Sequence, residues 1–470
     1  MTSNRPTEPH TKSTPTQEEE AARAMPEPQR GKSEPAAMKK TALNLDPENL
    51  MEQIVDTENM ERAWKNVKAN RGAPGPDGVT LDKFSQTFRD QWPTVRRQLL
   101  DGTYEPSPAR RKSIPKPDGS ERHLGIPNVQ DRLIQQAILQ VLTPIFDPEF
   151  SDSSFGFRPN RSAQGAAKQV QAHIRAGFRH CVDMDLSKFF DRVQHDVLLA
   201  KVARKVRDKR LLRLIGRYLR AGVMDGRNLQ PSTEGTMQGG PLSPLLANIL
   251  LDDFDKELEK RGLRFVRYAD DFLVFTKTNE AARRVYRSVG RYLTRKLKLV
   301  VNRQKSRIRT TKGVEFLGYL FDGFGGHIRI SPKNIKKFKT RAREITRRKR
   351  GISTTKRYQE LRQYLQGWMG YFSIVPLRSI FTRLDKWIRR RLRSCYWKQW
   401  RNPRTRIANL LKRGVPRRES ITHGNSRKGP WVMAKTEAMH IAIPNAYLKR
   451  EGLVSLEELW NKFAPRWRTA

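Results

Sequence analysis

Three aspartates carry the chemistry legible in this chain. Asp270 and Asp271 stand side by side in RFVRYADDFLVF, residues 264–275, between two short apolar and aromatic runs that read as strands. Adjacent carboxylates repel, and near a core each needs a partner or a cation. A hairpin with an acidic turn gives the same pattern, since Asp is a common turn residue. In CVDMDLSKFF, Asp183 and Asp185 alternate with Val182, Met184 and Leu186, which puts both aspartates on one strand face. An amphipathic edge strand looks alike, but Asp185 sits where strand gives way to helix, beside Phe189 and Phe190. Carboxylates at two strand ends are hard oxygen ligands of the kind Mg²⁺ takes. Two divalent ions there could make a 3′ hydroxyl nucleophilic, polarise a triphosphate and neutralise the leaving pyrophosphate. Their charge would also make such crowding of carboxylates tolerable.

The elements that must position these groups follow from the pattern. After a tail at 1–40 of Pro, Ser, Thr, Glu and Lys, expected to be disordered, a helix begins near Asn49 and runs into the loop GAPGPDGVT. A second helix, LDKFSQTFRDQWPTVRRQLLDG, precedes RRKSIPKPDGSERHLGIP, whose PDGS turn places Lys116 and Arg122 at the mouth of a hairpin. Further helices are expected at DRLIQQAILQVLTPIF, RSAQGAAKQVQAHIRAG, QGGPLSPLLANILLDDFDKELEKRG and NEAARRVYRSVGRYLTRKLKL, and GVEFLGYLF reads as a strand. Such alternation suggests an α+β domain ending near residue 330. Composition then shifts to three helices dense in Lys and Arg with interleaved aromatics, and residues from about 413 are too mixed to assign.

The 470 residues allow two to four domains. No apolar run of membrane-spanning length is present, and the first residues lack the apolar stretch of a secretory signal. Cys181 and Cys395 can build neither a disulfide framework nor a four-cysteine zinc site. A formal charge of +45, from 93 Lys plus Arg against 48 Asp plus Glu, calls for a polyanionic partner, and nucleic acid fits better than an anionic membrane. Charge alone does not separate a polymerase from a ribosomal or chromatin protein.

RYADD, DMDLSKFFD, QGGPLSPLLANILL and FLGY together resemble the reverse transcriptase of bacterial group II introns, proteins that also act as maturases for their intron. About 85 positions separate Asp185 from Asp270, and the similarity, through blocks from GAPGPDGV to WIRRRLR, covers about residues 45 to 465. The resemblance implies a right-hand polymerase fold, α+β in class, with fingers and an antiparallel palm sheet at 41–330. A helical thumb or maturase domain at 331–412 and a DNA-binding segment at 413–470 would follow. It implies Asp185, Asp270 and Asp271 as catalytic metal ligands for two Mg²⁺ ions, with Mn²⁺ a possible substitute. Phe190 would sit under the incoming sugar and exclude a 2′ hydroxyl; plain core is the alternative. Lys116 and Arg122 would meet the triphosphate, Gln238 and Gly239 would line the nucleotide pocket, and Lys305 would follow the palm hairpin. Implied partners are group II intron RNA, an RNA template with DNA primer, target DNA and deoxynucleoside triphosphates, in a bacterial cytoplasm. The expected type is compact, without an endonuclease. Met237 stands where the family usually has proline, so the loop entering the pocket is expected to be less fixed.

In WIRRRLR, Arg389, Arg390, Arg391 and Arg393 are expected to include at least two that face solvent or phosphate, since the motif holds no acidic residue. Two other readings compete: a related reverse transcriptase with a defence or diversification role, and a non-catalytic RNA-binding splicing factor on a decayed polymerase scaffold.

Overall fold

The computed structural model describes residues 47–464, except 116–118, 120 and 227. The tail at 1–40 and Lys116 lie outside the described residues. Helices α1 (Leu50–Ile54), α2 (Thr57–Ala69) and α3 (Leu81–Leu100) come first; Asp56 accepts the Glu58 and Asn59 N–H groups, and Thr80 accepts that of Lys83. The hairpin of β1 (Ala109–Pro115) and β2 (Glu121–Ile126) sets Ile114 opposite Arg122. Next come α4 (Val129–Phe146), α5 (Ala163–Arg175), β3 (His180–Met184), α6 (His195–Val202) and α7 (Lys209–Arg220). Two short strands, β4 (Val223–Asp225) and β5 (Asn228–Gln230), join the first hairpin in a sheet ordered β2-β1-β4-β5. Only β1 and β4 run parallel there, at Ala109–Val223, among these pairs.

The palm is the second sheet. Helix α8 (Ser243–Lys260) leads into β6 (Arg264–Tyr268) and β7 (Asp271–Thr276), then α9 (Asn279–Arg295) and β8 (Arg307–Thr310). The order β6-β7-β3-β8 is antiparallel throughout. Period two divides its faces cleanly. Val182, Met184, Phe272 and Val274 pack into one core with α8 and α9, where the Phe254 ring meets Phe272 edge-on at 5.0 Å. Cys181, Leu273 and Phe275 enter a second core on the opposite face. Asp183 pairs with Leu273 across the strands and therefore shares that second face, as does Asp271 two residues before Leu273. The sheet is thus sealed by helices behind, and its acidic end lies on the other side.

GVEFLGYLF is not one strand. It folds into β9 (Val314–Phe316) and β10 (Tyr319–Asp322), with Phe316 opposite Tyr319. Leu317 and Gly318 have φ of 48° and 81°, the signs that a tight two-residue hairpin turn requires. With β11 (His327–Ile330) they form a third antiparallel sheet. Three basic helices follow as expected: α10 (Pro332–Ile345), α11 (Thr354–Phe372) and α12 (Arg378–Gln399). The unassigned end is a run of short helices, α13 (Pro403–Lys412), α14 (Arg417–Gly424), α15 (Pro430–Met433), α16 (Glu437–Ala442), α17 (Asn445–Arg450) and α18 (Leu456–Phe463). Their Met433, Met439, Leu448 and Trp460 share the core of Phe338, Phe381 and Trp397. Buried Asp385 joins the two by accepting the Leu456 and Glu457 N–H groups at 2.9 and 3.1 Å.

Candidate active site at the acidic end of the palm

The Asp270–Asp271 pair closes a two-residue turn, since Tyr268 pairs with Asp271. Ala269 takes φ of 57°, a value ordinarily left to glycine, so the tip is strained. Asp185 follows β3 directly and is held through its backbone: its N–H donates to Ser306 Oγ at 3.1 Å and its carbonyl accepts from Asn302 N–H at 2.8 Å. Leu186 bridges to Val301, and the Ser187 N–H donates to the Val300 carbonyl at 2.8 Å. Segment 300–306 therefore clamps both sides of Asp185. Lys305 belongs to the same turn, its N–H directed at Asn302.

The three carboxylates interact. Loss of hydration raises the Asp270 carboxyl, and Asp185 raises it further. Asp271 is open to water on one side, yet the surrounding protein removes much of its hydration, and with Asp270, Asp185 and Asp183 beside it the carboxyl is pushed up to about 7. Arg122 opposes both shifts, so the β2 arginine stands within electrostatic reach of the pair. Asp183, on the same face, is instead engaged by Arg309 at 3.4 Å. Among the described residues no group of three or more His, Cys, Asp or Glu side chains is gathered closely enough to hold a metal ion. The donors are nonetheless all hard oxygens, and their mutual repulsion is only partly offset by Arg122. That chemistry fits divalent cations whose remaining ligands come from substrate and water.

The loops that carry Phe190, Gln238 and Gly239 are shaped through backbone. Lys188 takes φ of 49°, turning the chain into the short 3₁₀ turn Phe189–Arg192. There the half-buried Phe190 ring meets buried Phe189 edge-on at 5.1 Å. The Gln238 carbonyl accepts the Gly125 N–H at 2.9 Å. Gly239 has φ of 129°, and a Cβ there would stand 2.4 Å from the Gly125 carbonyl oxygen. This close approach requires glycine at 239, and a Cβ at Gly125 would in turn meet the Met237 side chain at 2.4 Å. Met237 proves well anchored: its carbonyl accepts from Ser243 Oγ at 2.6 Å, and its side chain fills the space beside Gly125. These contacts act on the same loop whose torsion a proline ring would have restricted.

The structure thus brings Asp185, Asp270, Asp271 and Arg122 together, with Phe190, Gln238 and Gly239 on loops tied to one another and to β2, and Lys305 in the Asp185 clamp. Sequence reading missed the supporting groups Ser306, Asn302, Thr236 and Arg309. A single serine or asparagine in a polar loop carries no periodic signal.

The WIRRRLR arginines also need correction. None is fully exposed. Arg390 donates to the Trp431 carbonyl at 3.0 Å with its guanidinium 4.0 Å above that ring. Arg391 donates to Thr346 Oγ1 at 2.6 Å, and buried Arg393 to the Ile443 carbonyl at 2.9 Å. Arg389 acts electrostatically on Asp385, one turn earlier. The carbonyls left open at helix ends provide the counter-dipoles that the motif lacks. Exposed cations lie elsewhere, among them Arg347, Arg348, Lys349 and Lys398, which line a cleft of about 330 Å³.

Comparison with known proteins agrees with this geometry. Residues 114–321 match the family model "Reverse transcriptase (RNA-dependent DNA polymerase)", and residues 335–414 match "Group II intron, maturase-specific domain". Protein YkfC of Escherichia coli K12 is 33% identical over 313 residues, 58% of this chain and 82% of that protein. The group II intron-encoded protein LtrA of Lactococcus lactis is 36% identical over 206 residues, 44% of this chain but 34% of its own length. A chain of a solved structure titled "Partial Cas6-RT-Cas1--Cas2 complex" is 27% identical, covers 52% of this chain and 42% of that one, and has a TM-score of 0.34, too low to bear on the fold. The chain belongs to the group II intron-encoded reverse transcriptase and maturase family. It is an RNA-directed DNA polymerase joined to a maturase-specific domain. No helix among the described residues is long and apolar enough to cross a membrane.

Proposed function

We propose that the chain copies its intron RNA into DNA at the acidic end of the palm, and that Asp185, Asp270 and Asp271 hold two Mg²⁺ ions there, with Mn²⁺ as a substitute. Bound ions would lower the pKa of the primer 3′ hydroxyl and offset charge on the leaving pyrophosphate. The protein's own part is positioning. Segment 300–306 fixes Asp185, and the turn after β6 presents Asp270 and Asp271. Arg122 carries positive charge from β2 toward the same space, suited to the triphosphate of an incoming deoxynucleotide. Phe190 stands under the sugar, and Gln238 with Gly239 shape the opposite wall. Residues 41–330 serve as fingers and palm, 331–412 as a thumb that grips template–primer duplex and intron RNA, and 413–470 as a segment meeting target DNA.

The observation that carries this reading is the electrostatic coupling of Asp185, Asp270 and Asp271 with Arg122 as the opposing cation. A splicing factor on a decayed scaffold has no use for carboxylates held in mutual repulsion. Primer extension on poly(rA)–oligo(dT) with Mg²⁺ tests the polymerase, and splicing of the RNA transcribed from the DNA flanking the reading frame tests the maturase. Extension without any effect on that RNA would return the chain to a defence or diversification role.

A further inference from the structure

Arg267 lies behind the palm sheet, opposite the acidic face, and is fully buried together with Asp255 of α8. Its Nε donates to both Asp255 oxygens at 2.8 and 3.0 Å. Such a pair could be structural only. What sets it apart is the second branch of the fork: Nη1 donates to the Ala269 carbonyl at 3.0 Å and to Asn248 Oδ1 at 2.9 Å. Ala269 is the strained tip residue whose carbonyl leads into Asp270. Asn248 in turn donates from Nδ2 to the Gly156 carbonyl at 2.9 Å. At Gly156 a Cβ would stand 2.4 Å from the Ala269 nitrogen, so residues 153–156 are pressed directly against the turn. The Arg267 backbone closes the ring, donating to the Ser153 carbonyl and accepting from the Phe155 N–H, both at 2.8 Å.

We propose that Arg267 is a positioning residue of the polymerase site: its guanidinium, braced by Asp255 and Asn248, holds the strained Ala269 peptide and so fixes where the Asp270 and Asp271 carboxylates stand. The inference rests on the reading of those aspartates as the catalytic pair. A left-handed alanine relaxes unless its peptide is restrained, and the restraint comes from one side through Arg267 and from the other through Gly156. The planar fork is needed because a lysine ammonium is a single point charge and cannot grip Asp255 and the Ala269 carbonyl in one fixed plane.

The test uses Arg267→Lys and the milder, charge-neutral Asn248→Ala, with Leu448→Ala, a buried position in the C-terminal helices, as a destabilised control. Melting curves choose a temperature at which all are folded. Steady-state extension is then read beside hydrogen exchange of the 268–271 amides in metal-free protein. The expected result is a fall in kcat on the order of 10²-fold with template–primer KM within about twofold, and a rise in the Mg²⁺ needed for half-maximal rate. Exchange protection should be lost at 268–271 but kept in 180–184. Leu448→Ala should change neither. Unchanged turn exchange in Asn248→Ala, or an equal fall in kcat in Leu448→Ala at matched melting temperature, overturns the proposal. If Arg267→Lys does not fold, Asn248→Ala carries the measurement alone. If wild type extends no primer, the polymerase reading fails, while the exchange result still decides whether Arg267 holds the turn.

Discussion

The Thr236 N–H donates to the Phe190 carbonyl at 2.6 Å, tying the aromatic residue proposed to sit under the incoming sugar to the loop that carries Gln238 and Gly239. Gly235 extends the tie by donating to the Val193 carbonyl at 2.7 Å. Because this anchoring is through backbone, the Phe190 side chain can be changed without releasing the loop. Phe190→Val should therefore admit ribonucleotides, raising the rNTP to dNTP ratio of kcat/KM by at least about tenfold, the scale that one pocket contact commonly sets. Single-nucleotide incorporation kinetics with paired dNTP and rNTP check this, and an unchanged ratio returns Phe190 to the core.

Asp270→Asn should abolish primer extension at every Mg²⁺ concentration while leaving RNA affinity within about twofold, since the basic surfaces are untouched. Removing one of several repelling carboxylates should also leave the melting temperature of the metal-free protein equal or higher. Near-normal extension would remove the turn from the catalytic site.

Asp131 of α4 is buried and accepts from Tyr104 and Tyr218 hydroxyls at 2.9 and 3.2 Å, and loss of hydration pushes its carboxyl up to about 6. A raised carboxyl favours folding most below its unfolded value near 3.8, and that contribution is lost as pH climbs through 6. On acidification from pH 7.5 to 4.5 the wild type should gain about 2 kcal/mol from this group relative to Asp131→Asn. Urea melts of the two proteins at both pH values measure the difference; a constant gap contradicts the assignment.

Arg348→Ala with Lys398→Ala should weaken intron RNA binding and flatten the slope of log K against log salt by somewhat less than one unit per lost phosphate contact. Arg393→Ala should instead lower the melting temperature, because it leaves the Ile443 carbonyl and Asn445 without their donor. If Arg393→Ala changes the salt slope and the cleft pair does not, the RNA surface lies along α12.

How much of this could be read from residues alone depended on whether a signal is periodic. Alternation in CVDMDL reveals which face Asp183 and Asp185 share, and the apolar runs around Asp270 and Asp271 reveal two strands. The hairpin bearing Arg122 follows from PDGS. The turn at Leu317–Gly318 was hidden because its flanks are as apolar as a continuous strand. The role of Arg267 was hidden more deeply. Nothing in RYADD tells that its arginine points away from the acidic face to meet an aspartate on the preceding helix. The strand-to-helix junction sets Asp185 apart from Asp183 in the sequence, but only a neighbouring strand reveals that Arg309 takes Asp183. The WIRRRLR arginines misled for a related reason: charge is visible along a chain, whereas the open carbonyls that satisfy it appear only after the helices have ended and packed.

Those arginine braces divide the positive charge of the molecule into two populations with different responses to electrolyte. A guanidinium set against a carbonyl dipole in a packed seam is little screened by ions in solution, while the cations of the open cleft trade freely with counterions. Rising salt should therefore strip nucleic acid from the protein well before it loosens the helices that present the cleft. Washing at high ionic strength should yield RNA-free protein that is still folded and that rebinds on dilution. Chemical reagents specific for guanidinium groups should show the same order, modifying Arg347 and Arg348 early and Arg393 only as the chain unfolds.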